Sequence, residues 1–359
     1  MMSSNHPKTE NSPHILVLGM GGTIAGLAPN PTGQPLQYQA GQVQVQSLLS
    51  HIEPAVPKGV KVVSAQVANI NSRDLTEGLL SQLGELVRTS LTNPAILGLV
   101  ITHGTDTIEE TGIFLQLTCG NYAQILGKRV ILTGAMLPAN APQADGPSNL
   151  IDAIGWASSP LDNCPGGIYA VMDGRVCMAM DLAKRHGSAL NAPIQGSPSS
   201  PVRLINPSWL SGVKAKEATW TEDLPIPNGN EWPWVEILTS HAGARSETIA
   251  LWLNSKVKGL VLAGSGMGGF HDAWGESLKL AVKQGIALVR TTRTGAGTTL
   301  ADIPEKDLAG CLASGTLSAP RARIALQLAL NAEKEAQLAG KSLTWQDFFA
   351  RIAVLPEIR

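Results

Sequence analysis

A hydroxyl and a carboxylate stand side by side at Thr105 and Asp106, just after the apolar run at 95–101. A helical pattern of apolar residues begins at Ile108, so this stretch predicts a strand, a short loop and a helix. Open α/β sheets bind ligands at the carboxyl ends of their strands. Thr105 and Asp106 are therefore candidate catalytic residues, with an ordinary polar turn as the alternative interpretation.

A second hydroxyl, Thr23, lies in the glycine-rich loop at 19–26, which follows the apolar run at 14–18. The loop lacks the Gly-Lys-Ser/Thr sequence of a phosphate loop, and Ile24 stands at the third glycine position of a dinucleotide fingerprint. Glycine lets backbone approach a neighbour closely. The pattern fits a site around Thr23 and a purely structural turn equally well.

Four further polar residues lie near predicted elements. Tyr38 is in the irregular segment at 27–41, which has the composition of a lid, although the ring could equally serve in packing. Ser72 and Arg73 precede a predicted helix, where backbone N–H groups favour a bound carboxylate. Lys184 follows a predicted hairpin, and a lysine in such a loop is most often solvated surface.

Two predicted helix starts have the form of a capping box, in which side chains three residues apart satisfy each other's backbone N–H groups. One box pairs Thr107 with Glu110, and the other pairs Asp74 with Glu77. Both would place acidic side chains in the first turn of a helix, where its dipole favours them.

The apolar runs at 168–172 and 176–180 flank Asp173-Gly174, a strong hairpin signal. Beyond a stretch rich in Pro, Gly, Asn and Trp, predicted strands and helices alternate from residue 235 onward. The sequence predicts an α/β fold with a larger N-terminal parallel-sheet domain and a smaller C-terminal α/β domain. The predicted parts are a disordered tail at 1–13, a catalytic domain at 14–205, a linker at 206–234 and a second domain at 235–359.

The chain has 359 residues, 43% of them hydrophobic, and a formal net charge of −1. There is no basic stripe, so neither nucleic acid nor an anionic membrane is an expected partner, and a small-molecule substrate is favoured. The seven histidines form no HExxH or similar cluster, so the sequence supports no catalytic metal.

The first residues are polar and carry no apolar core of a signal peptide, and no stretch is long enough to predict a membrane span. The cysteines are scattered without a CxxC pair, which fits buried thiols in a reducing compartment. We therefore expect a cytoplasmic protein. The four cysteines are Cys119, Cys164, Cys177 and Cys311.

The motif at 264–269 matches GxGxxG and follows a predicted strand. The acidic residue expected about twenty positions later in a dinucleotide site is missing. Arg290 or Arg293 could instead accommodate a 2′-phosphate. An NADP-binding protein is thus a second hypothesis from a different class.

The segments GMGGTIAG, ITHGTDTIEETG, ILTGAMLP and ADGPSNL resemble those of the bacterial-type L-asparaginase family, and the similarity runs from about residue 14 to about residue 332. This resemblance implies hydrolysis of the side-chain amide of L-asparagine, and often of glutamine, with release of ammonia and without a cofactor. It also implies a homotetramer built from intimate dimers. An amidase of the same fold acting on glutamine or N-substituted asparagine is the alternative.

The resemblance also assigns catalytic roles. Thr23 matches the threonine that forms an acyl-enzyme, and Tyr38 matches the lid tyrosine that hydrogen-bonds it. Thr105, Asp106 and Lys184 match a second group in which lysine and threonine activate a nucleophile. Which threonine attacks first is carried over from the family.

For substrate binding, the resemblance matches Ser72 to a residue that binds the substrate carboxylate and Asp106 to one that binds the ammonium. Ala135 matches a position whose backbone carbonyl contacts the amide. Three positions depart from the family pattern on the ammonium side, so we expect weaker asparagine binding, little glutaminase activity, or tolerance of a modified α-amine. The departures are Arg73, Gly269 and Ile303.

Overall fold

The computed structural model describes residues 12–159, 165–184, 203–204, 222–295, 297–301 and 308–353. The chain divides into two units, Met1–Asp223 and Leu224–Arg359, and each contains its own sheet. Residues 1–11 of the predicted tail and residues 206–221 of the predicted linker lie outside the described residues.

The sheet of the N-terminal unit has the strand order β2-β1-β3-β4-β5-β6-β7. Its strands from β2 to β5 run parallel, while β6 and β7 pair antiparallel at one edge. The carboxyl ends of β1, β2, β3 and β4 therefore meet at one edge of the sheet. The strands are β1 (His14–Gly21), β2 (Val62–Ile70), β3 (Ile96–Thr102), β4 (Arg129–Thr133), β5 (Gly167–Met172), β6 (Arg175–Met178) and β7 (Arg203–Leu204).

Helices cover this sheet, and the central strands β1, β3 and β4 are buried along nearly their whole length. Such strands read as continuous apolar runs because both faces of a parallel sheet are covered. Helix α2 corresponds to the helix predicted after Arg73, and α3 to the helix predicted from Ile108, whereas α1 was not predicted. The helices are α1 (Val45–Ile52), α2 (Glu77–Thr92), α3 (Ile108–Ile125) and α4 (Gly146–Ser158).

Both predicted capping boxes in this unit are wrong. Thr76, and not Asp74, caps α2 by accepting a hydrogen bond from the backbone N–H of Leu79 at 3.3 Å. Thr107 does occupy the N-cap position of α3, but its hydroxyl donates to the backbone carbonyl of Ser72 at 2.9 Å. The Thr107 hydroxyl thus forms its hydrogen bond with a neighbouring loop, and not with the helix as the local pattern predicted.

The predicted hairpin is confirmed. Strands β5 and β6 pair antiparallel, and the connecting Asp173 and Gly174 have φ angles of 53° and 62°. Positive φ at both central residues defines the two-residue turn whose twist matches that of the strands.

The C-terminal unit has a four-stranded parallel sheet with the order β11-β10-β9-β8. Alternating strands and helices confirm the predicted α/β class with a larger first sheet and a smaller second one, although β11 was not predicted. The elements are β8 (Val235–Thr239), α5 (Glu247–Leu253), β9 (Gly259–Gly264), α6 (Gly275–Lys283), β10 (Ala287–Thr292), β11 (Cys311–Ala313), α7 (Ala319–Leu338) and α8 (Trp345–Ile352).

Within the described ranges, no helix combines the length and the apolar character needed to cross a bilayer. Cys119 and Cys177 are buried as predicted, whereas Cys311 is half-buried and Cys164 lies outside the described residues. Burial raises the pKa of the Cys119 thiol to about 12, which keeps it protonated and unreactive.

Candidate active site

The loops that follow β1 and β3 touch through their glycines. A Cβ atom on Gly22 would lie 2.4 Å from both the Cα and the N atom of Gly104, so only glycine fits this contact. Gly22 also has φ 81° and ψ −169°, a conformation that is essentially restricted to glycine. The structure thereby brings Thr23 and Thr105, the residues that follow these glycines, to the same edge of the sheet, and both are buried.

The Thr23 hydroxyl is hydrogen-bonded to the Tyr38 hydroxyl at 2.7 Å. A Cβ atom on Gly26 would lie 2.8 Å from Cδ2 of Tyr38, so the tyrosine ring rests on glycine backbone. Leu27 and Gln39 exchange two backbone hydrogen bonds of 2.9 Å, which close the segment between them into a loop. Tyr38 is thus held against the turn that carries Thr23.

Lys184 connects two of the predicted site residues. Its ammonium donates hydrogen bonds to the Thr105 hydroxyl at 2.9 Å and to Oδ1 of Asp106 at 2.6 Å. The lysine side chain is 17% exposed and the aspartate side chain 54% exposed, so Lys184 is not solvated surface. Because the Thr105 oxygen accepts from an ammonium, its own proton is left to be donated to another group.

Ser72 lies against the same glycine contact. A Cβ atom on Gly104 would come within 2.5 Å of the Ser72 hydroxyl oxygen, and Ser72 is buried. The structure does not bring Arg73 to the threonines in the same way. Its side chain is 72% exposed, and its Nε atom lies 4.0 Å from a carboxylate oxygen of Asp74.

Ala135 is fully buried in the loop after β4. A Cβ atom on the preceding Gly134 would lie 3.4 Å from the Thr105 methyl group and 2.6 Å from the backbone oxygen of His103. The β4 loop therefore packs against the β3 loop. Each of four adjacent parallel strands thus contributes at least one predicted site residue from the loop at its carboxyl end, as expected for an open α/β sheet.

His103 supports this arrangement and was not among the predicted site residues. Its Nδ1 lies 2.7 Å from the Gly104 carbonyl oxygen, and its Nε2 lies 2.9 Å from the Thr111 hydroxyl. Because a carbonyl can only accept, Nδ1 carries the proton and Nε2 accepts from the threonine. Burial lowers the pKa of His103 to about 4, so the ring is neutral. A titratable side chain two residues after the apolar run at 95–101 was the sequence signal that could have identified it.

The turn at 264–269 differs from a dinucleotide site. Ser265 and Gly269 exchange backbone hydrogen bonds of 2.8 Å in both directions, which closes the turn on itself. The following helix, α6, begins only at Gly275. In the dinucleotide fingerprint the glycines open directly into a helix whose N-terminus holds the pyrophosphate. This turn offers no such helix end, and Gly269 serves in closing it.

Arg290 is also unsuited to hold a 2′-phosphate. It is 0% exposed, and its guanidinium donates to the backbone oxygens of Met267, at 3.1 Å, and Leu300. Arg290 thus stabilises the turn at 264–269 by binding its backbone. Arg293 is exposed, and Ile303 lies outside the described residues.

The site contains two hydroxyls at the edge of a parallel sheet, one beside a tyrosine and the other beside a lysine–aspartate ion pair. Hydrolases with a hydroxyl nucleophile are a class of enzymes that use such groups. Comparison with known proteins makes this class specific. Residues 14–206 match the family model described as "Asparaginase, N-terminal", and residues 234–340 match the "Glutaminase/Asparaginase C-terminal domain". The chain belongs to the asparaginase family and is an amidohydrolase.

Curated relatives and a solved structure agree with this membership. The chain is 32% identical to L-asparaginase 2 of Bacillus subtilis over 93% of this chain and 87% of that protein. It is 33% identical to L-asparaginase 2 of Escherichia coli over 90% and 91% of the two chains. The crystal structure of a probable cytoplasmic L-asparaginase from Campylobacter jejuni matches with a TM-score of 0.76 and 27% identity, covering 95% of this chain and 100% of that one.

Proposed function

We propose that the protein hydrolyses L-asparagine to L-aspartate and ammonia through an acyl-enzyme on Thr23. The observation that carries this proposal is the backbone contact between Gly22 and Gly104, which sets the two threonines on adjoining loops. A substrate amide bound there would have the Thr23 hydroxyl next to its carbonyl carbon. The Thr105 hydroxyl, which can transfer a proton, would lie near its nitrogen. The membership of the chain in the asparaginase family supports the same reaction.

In the first step, the Thr23 oxygen bonds to the side-chain carbonyl carbon of asparagine. A threonine hydroxyl is a weak nucleophile at neutral pH and needs a neighbour that takes its proton. The Tyr38 hydroxyl, at 2.7 Å, would receive it while releasing its own phenolic proton to solvent, so the tyrosine stays neutral. Collapse of the tetrahedral intermediate breaks the carbon–nitrogen bond, and the nitrogen takes up a proton and leaves as ammonia.

The group formed by Thr105, Asp106 and Lys184 would serve the proton transfers. Lys184 donates to the Thr105 oxygen at 2.9 Å, so the Thr105 proton can pass to the leaving nitrogen while the ammonium replaces it. The neutral lysine then regains a proton from solvent, which balances the proton that Thr23 released. Asp106 holds the lysine through an ion pair of 2.6 Å. Water then attacks the acyl-enzyme, aspartate is released and the Thr23 hydroxyl is restored, without need of a cofactor or metal.

Substrate recognition would use groups around the same point. The buried Ser72 hydroxyl would bind the α-carboxylate, and Asp106, which is 54% exposed, would bind the α-ammonium. The Ala135 carbonyl would accept a hydrogen bond from the amide nitrogen. Arg73, next to Ser72 in the chain, is one of the three departures on the ammonium side, and its 72% exposed side chain would add no partner for the ammonium. An asparagine Michaelis constant in the low micromolar range would contradict the expected weakening of ammonium binding.

The test compares ammonia and aspartate release from L-asparagine by wild type, Thr23→Ala and Thr105→Ala, with Thr23→Ser as the matched variant that keeps a hydroxyl. We expect equal amounts of both products from wild type and a loss of at least about a thousandfold in both alanine variants. Thr23→Ser should retain measurable activity. Wild type that is inactive on asparagine would overturn the proposal.

The order of the two threonines is tested by trapping the covalent intermediate and locating it by mass spectrometry. An adduct on Thr23 is expected, whereas an adduct on Thr105 would exchange the two roles.

A second candidate is the same chemistry on glutamine or on an N-substituted asparagine. It is favoured by the match of the C-terminal unit to a model that covers glutaminases as well as asparaginases. The ratios of kcat/KM among L-asparagine, L-glutamine and N-acyl asparagine separate the two candidates. A value for either alternative substrate above that for asparagine would make it the preferred function.

We also propose that the protein is a cytoplasmic homotetramer assembled as a dimer of dimers. The resemblance of its motifs to the family supports this assembly, and the likeness to a probable cytoplasmic enzyme supports the location. Light scattering coupled to size-exclusion chromatography measures the mass of the assembly, and cell fractionation locates it.

A further inference from the structure

Two side chains hold three backbone groups of the loop after β4. One is Asn149 of α4, and the other is Asp145, the N-cap residue of that helix. Asn149 Nδ2 donates to the Gly134 carbonyl at 2.9 Å. The carboxylate of Asp145 accepts from the N–H of Met136 at 2.9 Å and from the N–H of Leu137 at 2.9 Å. Ala135 lies between these fixed points, so its peptide groups have little freedom to rotate.

The hydrogen bond from Met136 determines where the Ala135 carbonyl points. These two groups belong to one peptide unit, which is trans. In a planar trans peptide the C=O and the N–H project in opposite directions. Because the N–H of Met136 is directed at Asp145, the carbonyl of Ala135 is directed away from that carboxylate.

The carboxylate is itself held in place. Asn149 Nδ2 lies 3.2 Å from Oδ2 of Asp145, and Asn149 Oδ1 accepts from the backbone N–H of Asp173 at 2.8 Å. Asn149 is buried. The network therefore connects the β4 loop to the β5–β6 hairpin, and Asp145 is the member that contacts the loop next to Ala135.

We propose that Asp145 is a positioning residue that aims the Ala135 carbonyl at the leaving nitrogen of the substrate. This inference rests on the proposed function, in which that carbonyl accepts a hydrogen bond from the substrate amide. A carbonyl can accept from an amide N–H but has nothing to accept from an ester oxygen. Asp145 therefore contributes to the preference of the enzyme for amides over esters of the same acid.

The experiment compares kcat/KM for L-asparagine with that for the β-methyl ester of L-aspartate, which releases methanol. We expect Asp145→Asn and Asp145→Ala to lower the amide value by about ten- to a hundredfold, because small misplacements of a positioned group are costly. The ester value should change by less than about threefold, since no N–H contact is lost. Asp152→Asn, on the same helix, is the matched control and should leave both values unchanged.

The ratio of the two values is measured on a single preparation, so a loss of folded protein cancels. If both activities fall by the same factor, so that the amide-to-ester ratio stays at the wild-type value, Asp145 is only structural and the inference is overturned. Failure of the proposed function has a different signature, because wild type would then hydrolyse neither substrate.

Discussion

Two glycine-rich turns follow buried parallel strands in this chain, and they have opposite relations to their surroundings. The turn after β1 contains Gly22, whose missing side chain lets the backbone of Gly104 approach from the neighbouring strand's loop. The turn after β9 contains Gly266, which also has a positive φ, of 52°, but has nothing within 4 Å of where a Cβ would stand. One turn meets a second loop and the other closes on itself.

The difference teaches what a glycine motif after a strand does and does not indicate. In both turns glycine supplies a backbone conformation that other residues disfavour. At Gly22 it also allows the backbone of a second loop to come into contact, and that contact brings two hydroxyl side chains to one place. At Gly268 the nearest atom to the position of a Cβ is the methyl carbon of Thr299, at 2.9 Å. The GxGxxG pattern at 264–269 is the better match to a known binding motif, yet its neighbour Thr299 is not a predicted catalytic residue.

The largest expected effect comes from adding a methyl group to each turn. In Gly22→Ala, alanine would have to adopt a disfavoured backbone conformation and its Cβ would clash with backbone atoms of Gly104. We therefore expect the free energy of unfolding to fall by about 3 to 5 kcal/mol, with loss of activity. In Gly266→Ala only the backbone conformation is unfavourable, so the free energy of unfolding should fall by about 1 kcal/mol. Thermal unfolding and ammonia release measure both variants, and equal destabilisation would contradict the comparison.

Acidification tests whether the second threonine loop is supported from within by neutral His103. The pKa of His103 is lowered from 6.5 to about 4 by burial, so between these values the unfolded chain binds a proton that the folded chain does not. Stability should therefore fall as the pH drops through this window, by about 3 kcal/mol in total.

The measurement is the free energy of unfolding in urea at pH 7 and pH 4.5 for wild type and His103→Asn. Contributions from the carboxylates are shared by the two proteins, so the difference between their pH dependences isolates the histidine. If the free energy of unfolding of His103→Asn falls on acidification by as much as that of wild type, His103 does not cause the pH dependence.

The smallest effect is expected at the hydrogen bond between Thr23 and Tyr38. Tyr38→Phe keeps the ring on Gly26 but removes the hydroxyl, and we expect kcat to fall by about tenfold, the equivalent of one hydrogen bond. Tyr122→Phe, on α3, is the matched control and should leave kcat unchanged. If Tyr38→Phe is fully active, the proton of Thr23 leaves by another route.

Local patterns in the sequence predicted most of the elements, because the spacing of apolar residues and the chemistry of turn residues act over short distances. The Asp173-Gly174 hairpin is an example, since the turn residues alone favour the observed φ angles. Helix α1 and the short strands β7 and β11 were missed. The capping partners at Thr107 and Asp74 were wrong, because a distant carbonyl and a nearer threonine compete with the local pattern.

The sequence by itself determined the α/β class, the candidate residues and, through motif resemblance, the family to which they belong. Tertiary structure decided which of these residues meet, because contacts between loops follow from the strand order β2-β1-β3-β4 and not from positions along the chain. It placed Lys184 on Thr105 and Asp106, left Arg73 exposed, and turned the carboxylate of Asp145 to the backbone beside Ala135. A short-range pattern contains no information on such partners, which are separated by many residues and are joined only when the sheet forms.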